Sequence, residues 1–187
     1  VIGINIMFAA KKFAEMVNTA IDEGIDLVVA GAGFSRDIFA LGKASGTPVV
    51  PIVSSVKLAK ISQRLGAAAI VVEGKEAGGH LGTDQSIKEI IPDIVAAVDI
   101  PVIAAGGILR GQDIADLINM GVSGVQMGSR FAASVEANSA PALKNFYLKA
   151  KPEDVVVIHS PVGLPGRAVR NPWAERIMEG PVPPTKC

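Results

Sequence analysis

The chain has 187 residues, 49% of them hydrophobic and 19% charged, with no net charge. That balance describes a globular chain with its own core and excludes a disordered segment. It also argues against a nucleic-acid scaffold held by phosphate contacts and against attraction to an anionic membrane surface, so the expected partners are small molecules.

The first run, VIGINIMF, reads as a buried strand that opens on Val1 without an initiator methionine. KKFAEMVNTAIDEG follows, with Phe13, Met16, Val17, Ala20 and Ile21 at helical spacing and Gly24 suited to the C-terminal cap. DLVVAGAG and PVVPIVS are the next two strands. SVKLAKISQRLG puts Leu58, Ile61 and Leu65 on one helical face and ends at Gly66. AAIVVEG is the fourth strand. After it comes the long polar loop EGKEAGGHLGTDQS, then IKEIIPDIVAAVD. Its apolar spacing runs through Pro92, and because proline inside a helix is costly, the main helix is expected to start near Pro92 after a preceding turn. IPVIAAGGI is the fifth strand. GQDIADLINMG is a helix with Ile114, Leu117 and Ile118 inward and Gly121 past its end, and SGVQMGS is the sixth strand. The sequence stops at PVPPTKC with no closing helix, so a fragment cut at both ends is expected.

Six Val- and Ile-rich strands alternating with amphipathic helices give a parallel sheet, open or closed into a barrel. The longest strand-to-strand gap holds the EGKEAGGHLGTDQS loop, at the C-terminal end of a strand. That is the end where barrels of this kind carry their chemistry. No apolar run reaches the ~18–20 residues of a membrane span, and the start lacks a signal-peptide pattern. Cys187 is the one cysteine, so no internal disulfide can form and a cytoplasmic location is expected.

His80 stands among glycines in EAGGHLG (76–82). Its ordinary pKa is the nearest to neutrality among side chains, so it is the candidate proton carrier; on spacing alone a solvated loop histidine fits equally. Two glycine turns, AAGGILRGQDI (104–114) and QMGSRF (126–131), each precede a helix start, where backbone N–H groups can cradle a phosphate. Plain tight turns are the other reading of each. Arg110 and Arg130 stand nearby, either assisting a phosphate or simply solvated. The two histidines, His80 and His159, are far apart and no cysteine cluster exists, so no metal site is expected. No phosphate-binding G-x-x-x-x-G-K-[ST] motif is present.

AAGGILRGQDIADLINMGVSGVQMGSRF resembles the phosphate-binding half of flavin-type and IMP-dehydrogenase-type barrels. With EGKEAGGHLG, GINIMF, the GAG at 31–33 and SPVGLPGRAVRNP at 160–172, the chain resembles the nitronate monooxygenase (2-nitropropane dioxygenase) family. It is equally similar to the FMN-dependent enoyl-acyl carrier protein reductases of the same fold. An IMP-dehydrogenase activity is excluded by the lack of a mid-chain cysteine.

The resemblance implies an α/β fold of the TIM (β/α)8 type, incomplete here, with six of eight strands and the first two missing. Residues 1–187 would be a single FMN-binding barrel domain. It implies FMN as cofactor and His80 as the catalytic base that deprotonates neutral nitroalkanes. Asn5, ending the first strand, would reach the flavin ring. Glu73 and Gly74 would meet the flavin edge, with glutamate a departure from the family's usual glutamine. Gly78 and Gly79 would let backbone approach the ring. Gly106, Gly107, Gln126, Met127, Gly128 and Ser129 would hold the ribityl phosphate. The small-molecule substrate is then a nitronate, with O2 as cosubstrate, or an enoyl thioester, with NAD(P)H. His159 and Trp173 read as structural, and Arg167 and Arg170 as surface residues. A homo-oligomer would cover the apolar edges of an incomplete barrel. The reading from another class is a non-catalytic truncated barrel.

Overall fold

The computed structural model describes residues 1–160 and 163–180. Cys187, the PVPPTKC ending, and Pro161 and Val162 of the SPVGLPGRAVRNP motif lie outside the described residues. The six expected strands form one parallel sheet in the order β1 (Gly3–Met7), β2 (Leu27–Gly31), β3 (Val49–Val53), β4 (Ile70–Glu73), β6 (Val102–Ala105) and β7 (Gly124–Gln126). The sheet is curled, as a barrel opened along one side. Between β4 and β6 a two-residue strand, β5 (Gly79–His80), leaves the barrel sheet. It pairs with a C-terminal hairpin, β8 (Val155–His159) and β9 (Pro165–Val169), in the order β5-β9-β8.

Helices α1 (Phe13–Asp22), α2 (Asp37–Ser45), α3 (Val56–Leu65), α4 (Ile87–Val95) and α5 (Gly111–Asn119) cover one face of the curled sheet. Local sequence explains their ends. Ser55 caps α3 by accepting from the Leu58 amide at 3.3 Å, and Gly66 leaves the helix at φ +93°. Gly24 does the same after α1 at φ +78°. The main core lies between these helices and the sheet, with Val17, Ile38, Ala59, Ile91, Ile94 and Leu117 almost fully buried. The α2 helix is not evident from spacing. It presses Ile38 and Phe39 inward, and Gly42 lets it lie on the start of β3, where a side chain would meet the Thr47 carbonyl and Val49.

One boundary differs from expectation. The fourth helix starts at Ile87, not near Pro92. Ser86 and Glu89 form a reciprocal cap, with Lys88 N donating to Ser86 Oγ and Ser86 N donating to Glu89 Oε2 at 2.9 Å. Ile87, Ile90, Ile91 and Ile94 are all buried. Each buried isoleucine contributes ~1.5–3 kcal/mol. Together they outweigh the ~3 kcal/mol of an interior proline, and Pro92 lies on the exposed side.

The other face of the curled sheet carries a smaller cluster, Val50, Val71 and Ala105, with Leu27, Val29, Ile52, Ala69 and Ile103 around it. No helix contributes to it, so this is the concave, barrel-interior face. After β7 come α6 (Ser129–Ala132), α7 (Pro141–Lys149), a 3-10 turn at Pro152–Asp154 and, beyond the hairpin, α8 (Pro172–Glu179). Asn171 caps α8 by accepting from the Trp173 and Ala174 amides at 2.9 and 3.0 Å. Among the described residues no helix is long and apolar enough to cross a membrane.

Candidate active site at the C-terminal rim of the sheet

Strand register places three of the expected residues on the concave face. Glu73, Ala105 and Gln126 pair across β4, β6 and β7, and Ala105 belongs to the concave cluster. Asn5 pairs with Val29 of the same cluster. Asn5 does not end its strand, as the sequence suggests; β1 continues to Met7 because its ladder with β2 runs to Gly31. It stands on the opposite edge strand from Gln126. Burial in these apolar surroundings raises the Glu73 carboxyl above its ordinary value.

The loop after β4 folds back over the rim. Gly74 is buried, and a side chain there would strike the Ile87 amide and the Glu76 carboxylate. Lys75 N donates to the Gln85 carbonyl at 2.8 Å, which closes the loop at its base. At the tip, β5 pairs antiparallel with β9, Gly79 opposite Arg167 and His80 opposite Gly166. Leu81 N donates to the Pro165 carbonyl at 2.8 Å, and Arg167 Nη1 donates to the Lys75 carbonyl at 3.2 Å. The hairpin thus holds the His80 loop from above. His80 Nε2 lies 3.1 Å from Ser160 Oγ in the turn between β8 and β9. Among the described residues Nδ1 has no hydrogen-bond partner.

The glycines divide into two groups. Gly106 and Gly107 adopt φ of +105° and +70°. A Cβ on Gly106 would lie 2.7 Å from Ala77 N, and one on Gly107 2.8 Å from Glu76 Cβ. Both sites are therefore filled by the His80 loop itself. The start of α5 is also internally satisfied: Leu109 N and Arg110 N donate to Asp113 Oδ2 at 3.0 and 2.8 Å, which holds that carboxyl below its ordinary value. In contrast, among the described residues nothing lies within 4 Å of the position a Cβ would take on Gly78, Gly79 or Gly128. Gly128 and Ser129 are exposed at the start of α6, and Met127 packs on the helix-side core. The open glycines, with Glu73 and Gln126 on the same concave rim, fit a flat ligand with a phosphate tail lying against backbone.

Glu73, Gly74, Gly78, Gly79, His80, Gly106 and Gly107 thus belong to one packed region. Gln126 to Ser129 flank it through β7, and Asn5 lies at the far edge. His159 is exposed at the end of β8. Arg170 pairs with Glu175 at 3.8 Å. Trp173 is not a packing residue: it is 53% exposed, with the Arg176 guanidinium 5.7 Å from its ring centre. A cleft of about 620 Å³, lined by Lys75, Leu81, Thr83, Asp84, Val157 and Arg167 among others, lies behind the His80 strand. Val157, Arg167 and Gly79 align across the hairpin sheet, one residue out of phase with His80, so this cleft and the imidazole occupy opposite faces. Among the described residues no group of three or more His, Cys, Asp or Glu is placed to hold a metal ion.

Two residues of the region have no direct signal in the sequence. Ser160 meets His80 only through the hairpin. Glu76 accepts from Ser86 Oγ at 2.7 Å and Ile87 N at 3.0 Å. The Ser-x-x-Glu spacing at Ser86–Glu89 was the readable sign of that helix start.

Comparison with known proteins agrees with this architecture. The sequence pattern of one family, nitronate monooxygenase, matches residues 2–187. A probable nitronate monooxygenase of Staphylococcus aureus (strain Newman) is 34% identical over 185 residues, 92% of this chain and 52% of that protein. A (3aS,4S,5R,7aS)-5-hydroxy-7a-methyl-1-oxo-octahydro-1H-indene-4-carboxyl-CoA dehydrogenase of Rhodococcus jostii (strain RHA1) is 32% identical over 167 residues, 89% of this chain and 47% of that protein. Among solved structures, FabK from Thermotoga maritima superposes with a TM-score of 0.90 at 38% identity, over 95% of this chain and 57% of that one. The chain spans about half the length of the curated relatives it matches.

Proposed function

This chain belongs to the nitronate monooxygenase family, and from that membership we propose that it is an FMN-dependent oxidoreductase which converts alkyl nitronates or nitroalkanes, with O2, to carbonyl compounds and nitrite. The observation that carries the reading is the placement of His80. Its imidazole meets Ser160 through Nε2, its Nδ1 has no hydrogen-bond partner among the described residues, and it follows two exposed glycines, Gly78 and Gly79.

Bound FMN would supply the electron acceptor. Gln126, Met127, Gly128 and Ser129 would hold its phosphate tail, with Gly78 and Gly79 giving the ring access to the backbone. Gly106 and Gly107 act one step back, by letting the loop of residues 76–77 pack beneath the site. Glu73 takes the place of the family's usual glutamine. Burial raises its carboxyl above the ordinary value; when protonated it would offer one O–H donor beside a carbonyl acceptor, where an amide offers two N–H donors. Asn5 contributes from the opposite edge strand.

His80 works as the base through Nδ1. For that nitrogen to accept a proton, Nε2–H must donate to Ser160 Oγ, a role that the hydroxyl, which can accept as well as donate, permits. Nδ1 then takes the α-proton of a neutral nitroalkane, leaving a nitronate; a substrate supplied as nitronate skips this step. The hairpin above the loop leaves the imidazole only partly exposed.

Likeness to FabK favours a second reading, an enoyl-acyl carrier protein reductase using NAD(P)H. One assay separates the readings. The chain is mixed with FMN, freed of excess and tested for flavin absorbance, then for oxygen uptake with a nitronate and NADPH oxidation with an enoyl thioester. Bound flavin with nitronate-dependent oxygen uptake supports the proposal. NADPH oxidation alone moves the assignment to the reductase, and failure to bind FMN overturns both for this chain.

A further inference from the structure

Glu76 stands four residues before His80, and its side chain joins three pieces of structure. Its carboxylate accepts from the Ser86 hydroxyl at 2.7 Å and from the Ile87 amide at 3.0 Å, at the first residue of α4. A negative group there complements the positive end of the helix. On the opposite side, Glu76 Cβ and Cγ occupy the space that a side chain on Gly107 would need, at 2.8 and 3.2 Å. Between the two lies the backbone that leads to His80.

The His80 segment has few other supports. Gly78 and Gly79 precede it, both exposed and, among the described residues, with no atom within 4 Å of where a Cβ would lie. Each glycine adds ~0.5–1 kcal/mol of backbone freedom relative to alanine. Downstream, the segment is held by a two-residue strand, by Leu81 N donating to the Pro165 carbonyl at 2.8 Å, by Ser54 Oγ donating to the Gly82 carbonyl at 3.0 Å and by the contact of the imidazole with Ser160. A second anchor is needed on the other side of the two glycines, from the residues before them. Ala77 is buried, its amide donating to the Gly74 carbonyl at 3.0 Å, and Gly74 is itself wedged against Glu76 and Ile87.

We propose that Glu76 is a positioning residue: it clamps the base of the Gly78–Gly79–His80 segment to the start of α4 and to the Gly106–Gly107 turn, so that the imidazole stays against Ser160. Glu76 touches no reactant. Burial alone would raise its carboxyl, but the Ser86 hydroxyl, the Ile87 amide and the Lys75 ammonium outweigh that and hold it below its ordinary value, so it is an anionic clamp at neutral pH. The catalytic consequence rests on His80 being the base; the geometric one does not.

The test compares wild type with Glu76→Ala, Glu76→Gln and Ser86→Ala in the full 187-residue chain. Amide hydrogen exchange and the His80 Cε1–H resonance are followed by NMR. In Glu76→Ala, exchange at residues 79–82 rises by about tenfold or more while β2 and β3 keep their protection, and the His80 resonance moves. Glu76→Gln, whose amide oxygen still accepts one bond, falls between. In FMN-loaded protein, Glu76→Ala lowers kcat for neutral nitroalkane more than for preformed nitronate, a split that a general loss of stability would not give. Unchanged exchange and resonance in Glu76→Ala overturn the proposal, as does a uniform rise in exchange over the whole chain. If Glu76→Ala does not fold, the other two variants decide: each must show a partial change confined to the loop, and no change in both overturns the proposal. If even wild type fails to oxidise nitroalkane, the base assignment falls while the exchange data still judge the clamp.

Discussion

His80 and Ser160, eighty positions apart in sequence, meet at 3.1 Å between Nε2 and Oγ. The contact is made by a three-stranded sheet in which His80 itself is a strand residue, paired with Gly166. A base oriented by a hydroxyl loses orientation, not existence, when the hydroxyl is removed. A net hydrogen bond of ~0.5–1.5 kcal/mol corresponds to about a 2- to 13-fold effect. Ser160→Ala is therefore expected to slow turnover of neutral nitroalkane by that factor and to leave nitronate turnover near wild type, as read by oxygen uptake on both substrates.

Removal of the proposed base should separate the two substrates far more. His80→Gln keeps size and polarity but cannot take the α-proton. General base catalysis is worth ~10²–10⁴-fold, so the neutral nitroalkane rate is expected to fall by that amount. The nitronate rate, which needs no deprotonation, stays within a few-fold. Equal losses on both substrates would show that His80 binds rather than deprotonates.

The parallel sheet was legible because each strand is a short Val/Ile run and most helices end in a serine cap or a glycine exit, as at Ser55 and Gly66. The place of the His80 loop was legible because the longest gap falls after β4. The pairing of β5 with β9 was not. Two residues, Gly79 and His80, carry no periodicity, and their partners lie far along the chain. The start of α4 was misread because the cost of Pro92 was weighed without the four buried isoleucines around it. The glycines of AAGGI were legible as special, but not their neighbour: sequence cannot say whether a ligand or another loop fills the space, and here Glu76 and Ala77 do.

That distinction can be measured. Gly106→Ala forces a side chain into positive φ and into the Ala77 amide, at a cost of ~1–3 kcal/mol. It should lower the thermal midpoint of the chain without FMN, by about 2–4 °C per kcal/mol. Gly128 has φ −105° and open space around it. Gly128→Ala should leave that midpoint unchanged and weaken FMN binding, as followed by flavin fluorescence titration. A Gly128→Ala protein that binds FMN as wild type would remove Gly128 from the phosphate cradle.

Glu73 gives a pH signature. Its folded-state pKa is raised by burial from the ordinary 4.5, so the folded chain holds this proton more tightly than the unfolded chain. Stability is then greatest below the ordinary value and falls as pH rises through the raised one. Glu73→Gln keeps the shape and cannot ionise. It should be more stable than wild type at neutral pH, and the difference should vanish near pH 4, in urea melts run across that range.

Pro92 offers a prediction independent of the chemistry. It lies in the second turn of α4, where its missing N–H leaves the Lys88 carbonyl without the usual partner four residues on. The ring is exposed, so removing it opens no cavity. Pro92→Ala restores one helical hydrogen bond and helix propensity worth ~3 kcal/mol. Against that, alanine returns ~0.4–1 kcal/mol of freedom to the unfolded chain. The expected net gain is about 2–2.6 kcal/mol, a rise in thermal midpoint of about 4–10 °C, with no change in the His80 resonance. A lower midpoint would mean that the proline relieves a strain in α4, and that the Ser86–Glu89 cap is not enough to hold the first turn where the His80 loop docks.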